Sequence, residues 1–390
     1  MKVLFTQLKP SILQYKLAKA LKKKGHRTLL LTLLNQFNHE EYSTAFDEII
    51  TLDLNNLKPK TILLKACHDT KKFVRFFYRL AKLKPDIAIC EGAPHYLAAL
   101  FIRFFKGRCK RIYFPYDLNY TRLINPRDYF PLRETWGEKY CLKNCDAIFF
   151  KSADGELDLL PKSFGVKGKE SLCIPHYTLS DWYAYPSLKD KISKRAKKIN
   201  IVYTGMFVNN VIFYGSMISD FRVILEQNME LHIYIAHGQL SQNERKMLTG
   251  ENERLNKNLF VHAFVSPEKL SEEIKKYDYG LYFPRFSDYA LKDAVKFAAG
   301  NKVSSYLEAG IPLIVNAENK AVSKTVEENN LGVSLSSLDN LKKELYKKDY
   351  NQLAKNVLKF REYYSMDKKI DGIIAFLNRV IGKNKKLRLR

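Results

Sequence analysis

The chain has 390 residues, 66 Lys and Arg against 41 Asp and Glu for a net charge of +25, and 46% hydrophobic residues. At roughly 100–200 residues per domain this is room for two or three domains with packed cores, which excludes a wholly disordered chain. No apolar run reaches the roughly 18–20 residues that span a bilayer, and the first residues begin a strand pattern rather than a secretion leader, so a cytoplasmic location is expected.

In chain order, Lys2–Phe5 reads as a strand and Ser11–Lys24 as an amphipathic helix with Ile12, Leu13, Leu17, Ala20 and Leu21 on one side. Thr28–Leu33, Glu48–Leu52, Ile87–Cys90, Arg111–Phe114 and Ala147–Phe150 follow as strands, with helices at Lys71–Leu83, His95–Phe105 and Arg133–Lys143. Continuous apolar strands alternating with helices predict a parallel sheet covered on both faces, a first Rossmann-like domain over 1–184. The polar, basic stretch 185–200 reads as a linker.

A second alternating series fills 201–350. Its strands are predicted at Ile201–Tyr203, Glu230–Ala236, Leu259–His262, Tyr279–Phe283, Leu313–Val315 and Gly332–Leu335. Two helices, Asn351–Tyr364 and Lys368–Ile381, are expected to pack back on the first domain, ahead of a basic tail at 382–390. The fold class is α/β, two doubly wound Rossmann-like domains whose strand carboxyl ends face a common cleft.

The segment Gly300-Asn301-Lys302-Val303-Ser304-Ser305-Tyr306-Leu307-Glu308-Ala309-Gly310-Ile311-Pro312 resembles the "P-x-K-x-x-E-Y-x-A-x-G-x-P" segment of GT-B glycosyltransferases, most closely the family-4 group. Asn258–Ser266, Tyr277–Leu281, Gly25-His26 and Glu138–Ser152 support the same resemblance. It implies a GT-B fold and transfer of a sugar from a nucleotide-diphosphate sugar, the co-substrate, with no metal or other cofactor. A helix starting near Lys302 aims free N–H groups and its positive dipole end at a diphosphate.

The resemblance assigns Lys302 to the donor phosphates and places Ser305 where the family carries a ribose-binding Glu. Glu308 is a candidate replacement for that contact or a residue of local packing. Arg285, at the end of the strand Tyr279–Phe283, is a second phosphate candidate. Gly205 matches the first glycine of the second domain, and His237, at a strand end, is a candidate for the nucleobase pocket.

On the acceptor side, Glu91 and Asp117 each close a strand and by the strand-end rule point into the cleft. Either carboxylate, or His95, suits a general base, and capping of the next loop or packing at a helix start is the alternative for each. Tyr116 stands where many family-4 members carry a His.

The six cysteines have neither CxxC spacing nor nearby zinc-finger histidines and read as free thiols, with no structural metal. Charge is uneven. Residues 1–111 hold 22 Lys/Arg against 8 Asp/Glu, a bias toward an anionic partner.

The stretches 71–84 and 96–111 interleave aromatic and basic residues, a pattern that suits either an anionic membrane surface or ordinary packing with a solvated basic face. Nucleic-acid binding is disfavoured, because no recognition motif accompanies the charge. The expected function is sugar transfer to a surface glycan or lipid-linked acceptor. An epimerase of the same fold and a non-catalytic binding protein are the alternatives.

Overall fold

The computed structural model describes residues 1–9, 11–33, 40–52, 70–122, 126–151, 155–205, 207, 217–235, 241–254, 258–284, 296–297 and 300–382. Two all-parallel sheets organise it. The first contains β1 (Lys2–Gln7), β2 (Arg27–Thr32), β3 (Glu48–Thr51), β4 (Ile87–Glu91), β5 (Lys110–Phe114), β6 (Ala147–Phe150) and β7 (Glu170–Cys173). Their order in space is β3-β2-β1-β4-β5-β6-β7.

Side chains alternate across this sheet, so each strand feeds two cores. Val3, Phe5, Ile87 and Ile89 pack under α1 (Ile12–Lys23) and the C-terminal helix. Leu4, Ala88 and Cys90 pack under α2 (Thr70–Lys82), α3 (His95–Phe104) and α4 (Leu132–Asn144). The helix α1 starts where Ser11 accepts the Gln14 N–H through its side chain, and it ends at Lys24 before Gly25, which adopts a positive φ of 77°.

The second sheet contains β8 (Asn200–Gly205), β9 (Glu230–Ile235), β10 (Leu259–His262), β11 (Tyr279–Tyr282), β12 (Leu313–Asn316) and β13 (Gly332–Leu335). Its order is β10-β9-β8-β11-β12-β13. Both orders reverse direction once, between β1 and β4 and between β8 and β11. Such a switch point opens a crevice at the strand carboxyl ends. The sequence patterns foresee these strands to within a few residues except β7, an edge strand without an apolar run. The polar helix Gln242–Arg254 is also absent from them.

The chain passes between the sheets twice. Thr178 N–H donates to Tyr364 C=O at 3.1 Å and Met366 N–H donates to Thr178 C=O at 2.8 Å, where α6 (Tyr350–Tyr363) hands over to α7 (Met366–Gly382). Ile370, Ile373, Phe376 and Leu377 of α7 are buried in the core of the first sheet. The basic stretch after Tyr185 lies on the second domain, where the buried Lys191 ammonium donates to the carbonyls of Lys275 and Tyr277.

Candidate functional site

The candidate donor side lies at the carboxyl end of β8. Gly205 has φ +130°, and a Cβ there would stand 2.5 Å from Lys302 Cε and 3.1 Å from Lys302 Nζ. The absent side chain is thus what lets the lysine lie across the strand end. Lys302 Nζ also sits 4.9 Å over the Tyr203 ring.

Lys302 belongs to α5 (Asn301–Ala309), whose first turn holds no acidic residue and whose N-cap, Gly300, makes no side-chain cap bond. Tyr306 of the same helix fixes its approach: its hydroxyl accepts Thr204 N–H at 3.0 Å and donates to Leu281 C=O at 2.9 Å. A Cβ at Gly280 would meet the Tyr306 ring at 2.2 Å, so this close packing requires glycine. Two residues that lie almost a hundred positions apart in sequence therefore meet as Gly205 and Lys302.

The other donor candidates separate from this pair. Ser305 is half-buried and its hydroxyl donates back to Asn301 C=O at 3.3 Å. Glu308 is buried and faces the domain junction. Its Oε1 accepts from Lys16 Nζ of α1 at 2.6 Å and from Leu179 N–H at 2.8 Å. Burial pushes the Glu308 carboxyl up, and Lys16 pulls it back.

The Glu308 carbonyl accepts from Ala184 N–H at 2.9 Å and from the Arg361 guanidinium at 2.8 Å. Local packing, the alternative reading for Glu308, accounts for every one of these contacts. Arg285 and His237 lie outside the described residues.

The facing wall comes from the first sheet. Glu91 ends β4, is buried, and has its carboxyl raised to about 8, first by burial, against the Ser11 hydroxyl and the Lys151 and Lys9 charges. Asp117 follows β5 and pairs with Lys151 Nζ at 2.8 Å. Lys151 is itself buried directly after β6, with its ammonium 3.8 Å over the Tyr116 ring. These groups gather at the carboxyl ends of β4, β5 and β6.

His95 is the first residue of α3. It is buried, hydrogen-bonds the Tyr113 hydroxyl through Nδ1 at 2.6 Å, and places Nε2 3.8 Å from Glu138 Oε2. Burial lowers its imidazole to about 4, so it is neutral at pH 7. This is the arrangement of a packing residue at a helix start.

Three residues escaped the motif reading: Lys151 and His176 beside the candidate site, and Lys16 at the domain junction. Lys151 carried a usable signal, since it stands at a strand end like Glu91 and Asp117. Lys16 did too, lying three residues from Leu13 and four from Ala20 on the apolar side of α1. His176 is buried with neither ring nitrogen hydrogen-bonded among the described residues. Burial first, then the nearby Lys151 and Lys16 charges, hold it neutral.

A Cβ at Gly155, beyond β6, would come within 3.3 Å of the Phe297 ring of the second domain. The two walls are therefore in contact at that rim. Among the described residues no group of three His, Cys, Asp or Glu side chains is placed to hold a metal ion.

The Glu91 environment makes a stability prediction. The folded chain holds the carboxyl proton with a pKa of about 8 against 4.5 for the free group. Its stabilising contribution is therefore complete below pH 4.5 and is lost as pH rises through 8, at up to about 1.4 kcal/mol per pH unit between them. Glu91→Gln, which keeps the shape and cannot ionise, should match or trail wild type near pH 5 and exceed it above pH 8. Thermal melts across that range check the crossing of the two curves.

Residues 211–368 match the family described as "Glucosyltransferase 3-like, C-terminal domain". No curated protein sequence matches the chain. Among solved structures, a sucrose-phosphate synthase from Thermosynechococcus elongatus is similar at 15% identity and a TM-score of 0.67, covering 99% of each chain. Anabaena HepE in complex with UDP-glucose is similar at 12% identity and a TM-score of 0.61, covering 99% of this chain and 100% of the other. An S. aureus TarM variant, in complex with Fondaparinux, alpha-GlcNAc-glycerol and UDP, is similar at 11% identity and a TM-score of 0.65, covering 98% and 100%. Together with the two sheets facing one cleft, these likenesses make the fold GT-B, and they extend over nearly the whole chain.

Proposed function

We propose that the protein is a glycosyltransferase that takes a sugar from a nucleoside-diphosphate donor bound at the end of β8 and delivers it to a glycan or lipid-linked glycan acceptor on the first domain. The observation that carries this reading is Lys302, laid over Gly205 at an uncapped helix N-terminus. Its ammonium and the first amides of α5 meet the two phosphates, and they take up the charge that develops on the leaving diphosphate. That role needs no metal, in keeping with the family-4 resemblance of the Lys302–Val315 segment. Retention of anomeric configuration rests on the same resemblance. The UDP and UDP-glucose in the HepE and TarM complexes make uridine the first base to test.

On the acceptor side Asp117, held by Lys151, suits orientation of the attacking hydroxyl, and a retaining transfer hands that hydroxyl's proton to the leaving diphosphate without a dedicated base. Glu91, protonated at neutral pH, suits a hydrogen-bond donor to a sugar hydroxyl, and the neutral His176 imidazole suits a second such contact. A thermal-shift panel of nucleoside diphosphates and their sugars tests the donor site. Ligand at a hundred times Kd adds about 2.7 kcal/mol, so one nucleotide family should raise the melting temperature by a few degrees. If UDP, GDP, ADP and their sugars all leave it unmoved at millimolar concentration, the reading is wrong. Conversion of a sugar nucleotide with no acceptor present would instead mark an epimerase.

A further inference from the structure

We infer that the outer surface of α2, α3 and α4 docks the protein on an anionic lipid bilayer. The three helices cover one face of the first sheet side by side: Phe76, Leu80, Ala98, Phe101, Cys141 and Leu142 all point into the same core. Their opposite sides therefore form one continuous surface. The Phe77 and Phe104 rings, 5.7 Å apart, join α2 to α3. Arg133, 5.1 Å over the Tyr96 ring, joins α4 to α3.

That surface carries large apolar groups facing outward. Tyr78 is 59% exposed, Leu100 56%, Leu132 71% and Trp136 50%, with Val74 also exposed. Scattered single apolar residues need no explanation, but a patch spread over three neighbouring helices does.

Its charge selects the occupant. Among the described side chains of 74–84, 95–110 and 132–144, nine Lys/Arg are exposed and no Asp or Glu is. Of the two acids there, Glu138 is buried, and the half-buried Glu134 accepts the His95 backbone N–H at 2.8 Å. Lys82 and Arg108 lie 4.2 and 4.3 Å over the rings of Tyr78 and Phe104, which keeps cation and aromatic body at the same depth.

Aromatic and aliphatic groups at the level of a basic ring match the headgroup boundary of an anionic membrane. A nucleic acid would use the charges and leave Val74, Leu100 and Leu132 without a role. No helix among the described residues is long and apolar enough to cross a membrane, so the contact proposed is a peripheral one. The inference stands apart from the donor site, and the test below reads membrane contact without any sugar nucleotide.

The chain holds two tryptophans, and Trp182 is buried, so Trp136 serves as a built-in reporter. The full-length protein is mixed with vesicles of phosphatidylcholine alone or with an equal part of phosphatidylglycerol. Co-sedimentation with the anionic vesicles only, together with a blue shift of emission that Trp136→Phe abolishes, is the expected result. Arg103→Gln with Lys106→Gln should weaken partitioning about fivefold per charge removed. Tyr78→Glu with Leu132→Glu should weaken it further, and all four sites are exposed enough to leave the melting temperature unchanged.

The proposal is overturned if the protein ignores anionic vesicles, or if it binds them with unshifted emission. It is equally overturned if the two double variants bind as wild type does. Tight duplex binding lost in Arg103→Gln/Lys106→Gln, with no vesicle binding, would assign the surface to nucleic acid.

Discussion

Lys16→Met is expected to destabilise the folded chain by about 3–5 kcal/mol, because it leaves the Glu308 carboxylate buried without its counter-charge. The ion pair spans 2.6 Å with both side chains almost wholly enclosed. Lys16 also donates to Tyr177 C=O at 3.1 Å and to the Ser304 hydroxyl at 3.4 Å, and its ammonium lies 4.9 Å over the Trp182 ring. All its donors are therefore committed to the junction between the two sheets. Glu308→Gln should cost somewhat less, since the amide oxygen still accepts from Leu179 N–H.

The double variant Lys16→Met with Glu308→Leu removes both charges and should recover most of the loss, as apolar replacements of buried pairs often do. Denaturant melts of the three variants decide the matter. Single-site losses below about 1 kcal/mol would mean that water already reaches the pair.

Lys302→Ala is expected to lower kcat/KM by about 10²–10³-fold, the size of effect seen when one preorganised group facing a developing negative charge is removed. The same change should abolish the nucleotide-dependent thermal shift while moving the ligand-free melting temperature little, since Lys302 is only partly buried. Gly205→Ala provides a second handle on the same site without altering charge. Its Cβ would collide with Lys302 Cε at 2.5 Å, on a backbone with φ +130°, so the lysine must leave its position. Both variants should lose donor affinity before acceptor affinity. Turnover at the wild-type rate in Lys302→Ala would remove the diphosphate assignment.

Much of the architecture was readable as pattern. Runs such as Thr28–Leu33 and Ile201–Tyr203 are apolar because both faces of a parallel strand are covered, and their alternation with amphipathic helices leaves little freedom in fold class. The elements that escaped lacked that signal. The edge strand β7 is only partly buried along its length, and the helix Gln242–Arg254 has few apolar residues to make a stripe.

Within the site, Gly205 and Lys302 were legible singly, through a glycine at a strand end and a lysine at a helix start. Their contact was not, since nothing local couples positions 205 and 302. Glu308 shows the limit more sharply. Its place in a recognisable segment left a ligand contact and local packing equally open, and its partners are Lys16 from the first domain and the Leu179 backbone of the crossover.

By itself, then, the sequence determined the two doubly wound sheets, the helix that begins at Asn301, and the basic, aromatic helices of the first domain. These follow from periodicity and from residue chemistry that acts over a few positions. Only the tertiary structure decided which charges are paired and which face a ligand. It joined Lys16 to Glu308 and Lys151 to Asp117, and it buried Glu138 of α4 while tying Glu134 to the His95 backbone. It also set α2, α3 and α4 side by side so that their outer residues form one face. Electrostatic and packing energies depend on distance in space and on exclusion of water, and neither is a property of spacing along the chain.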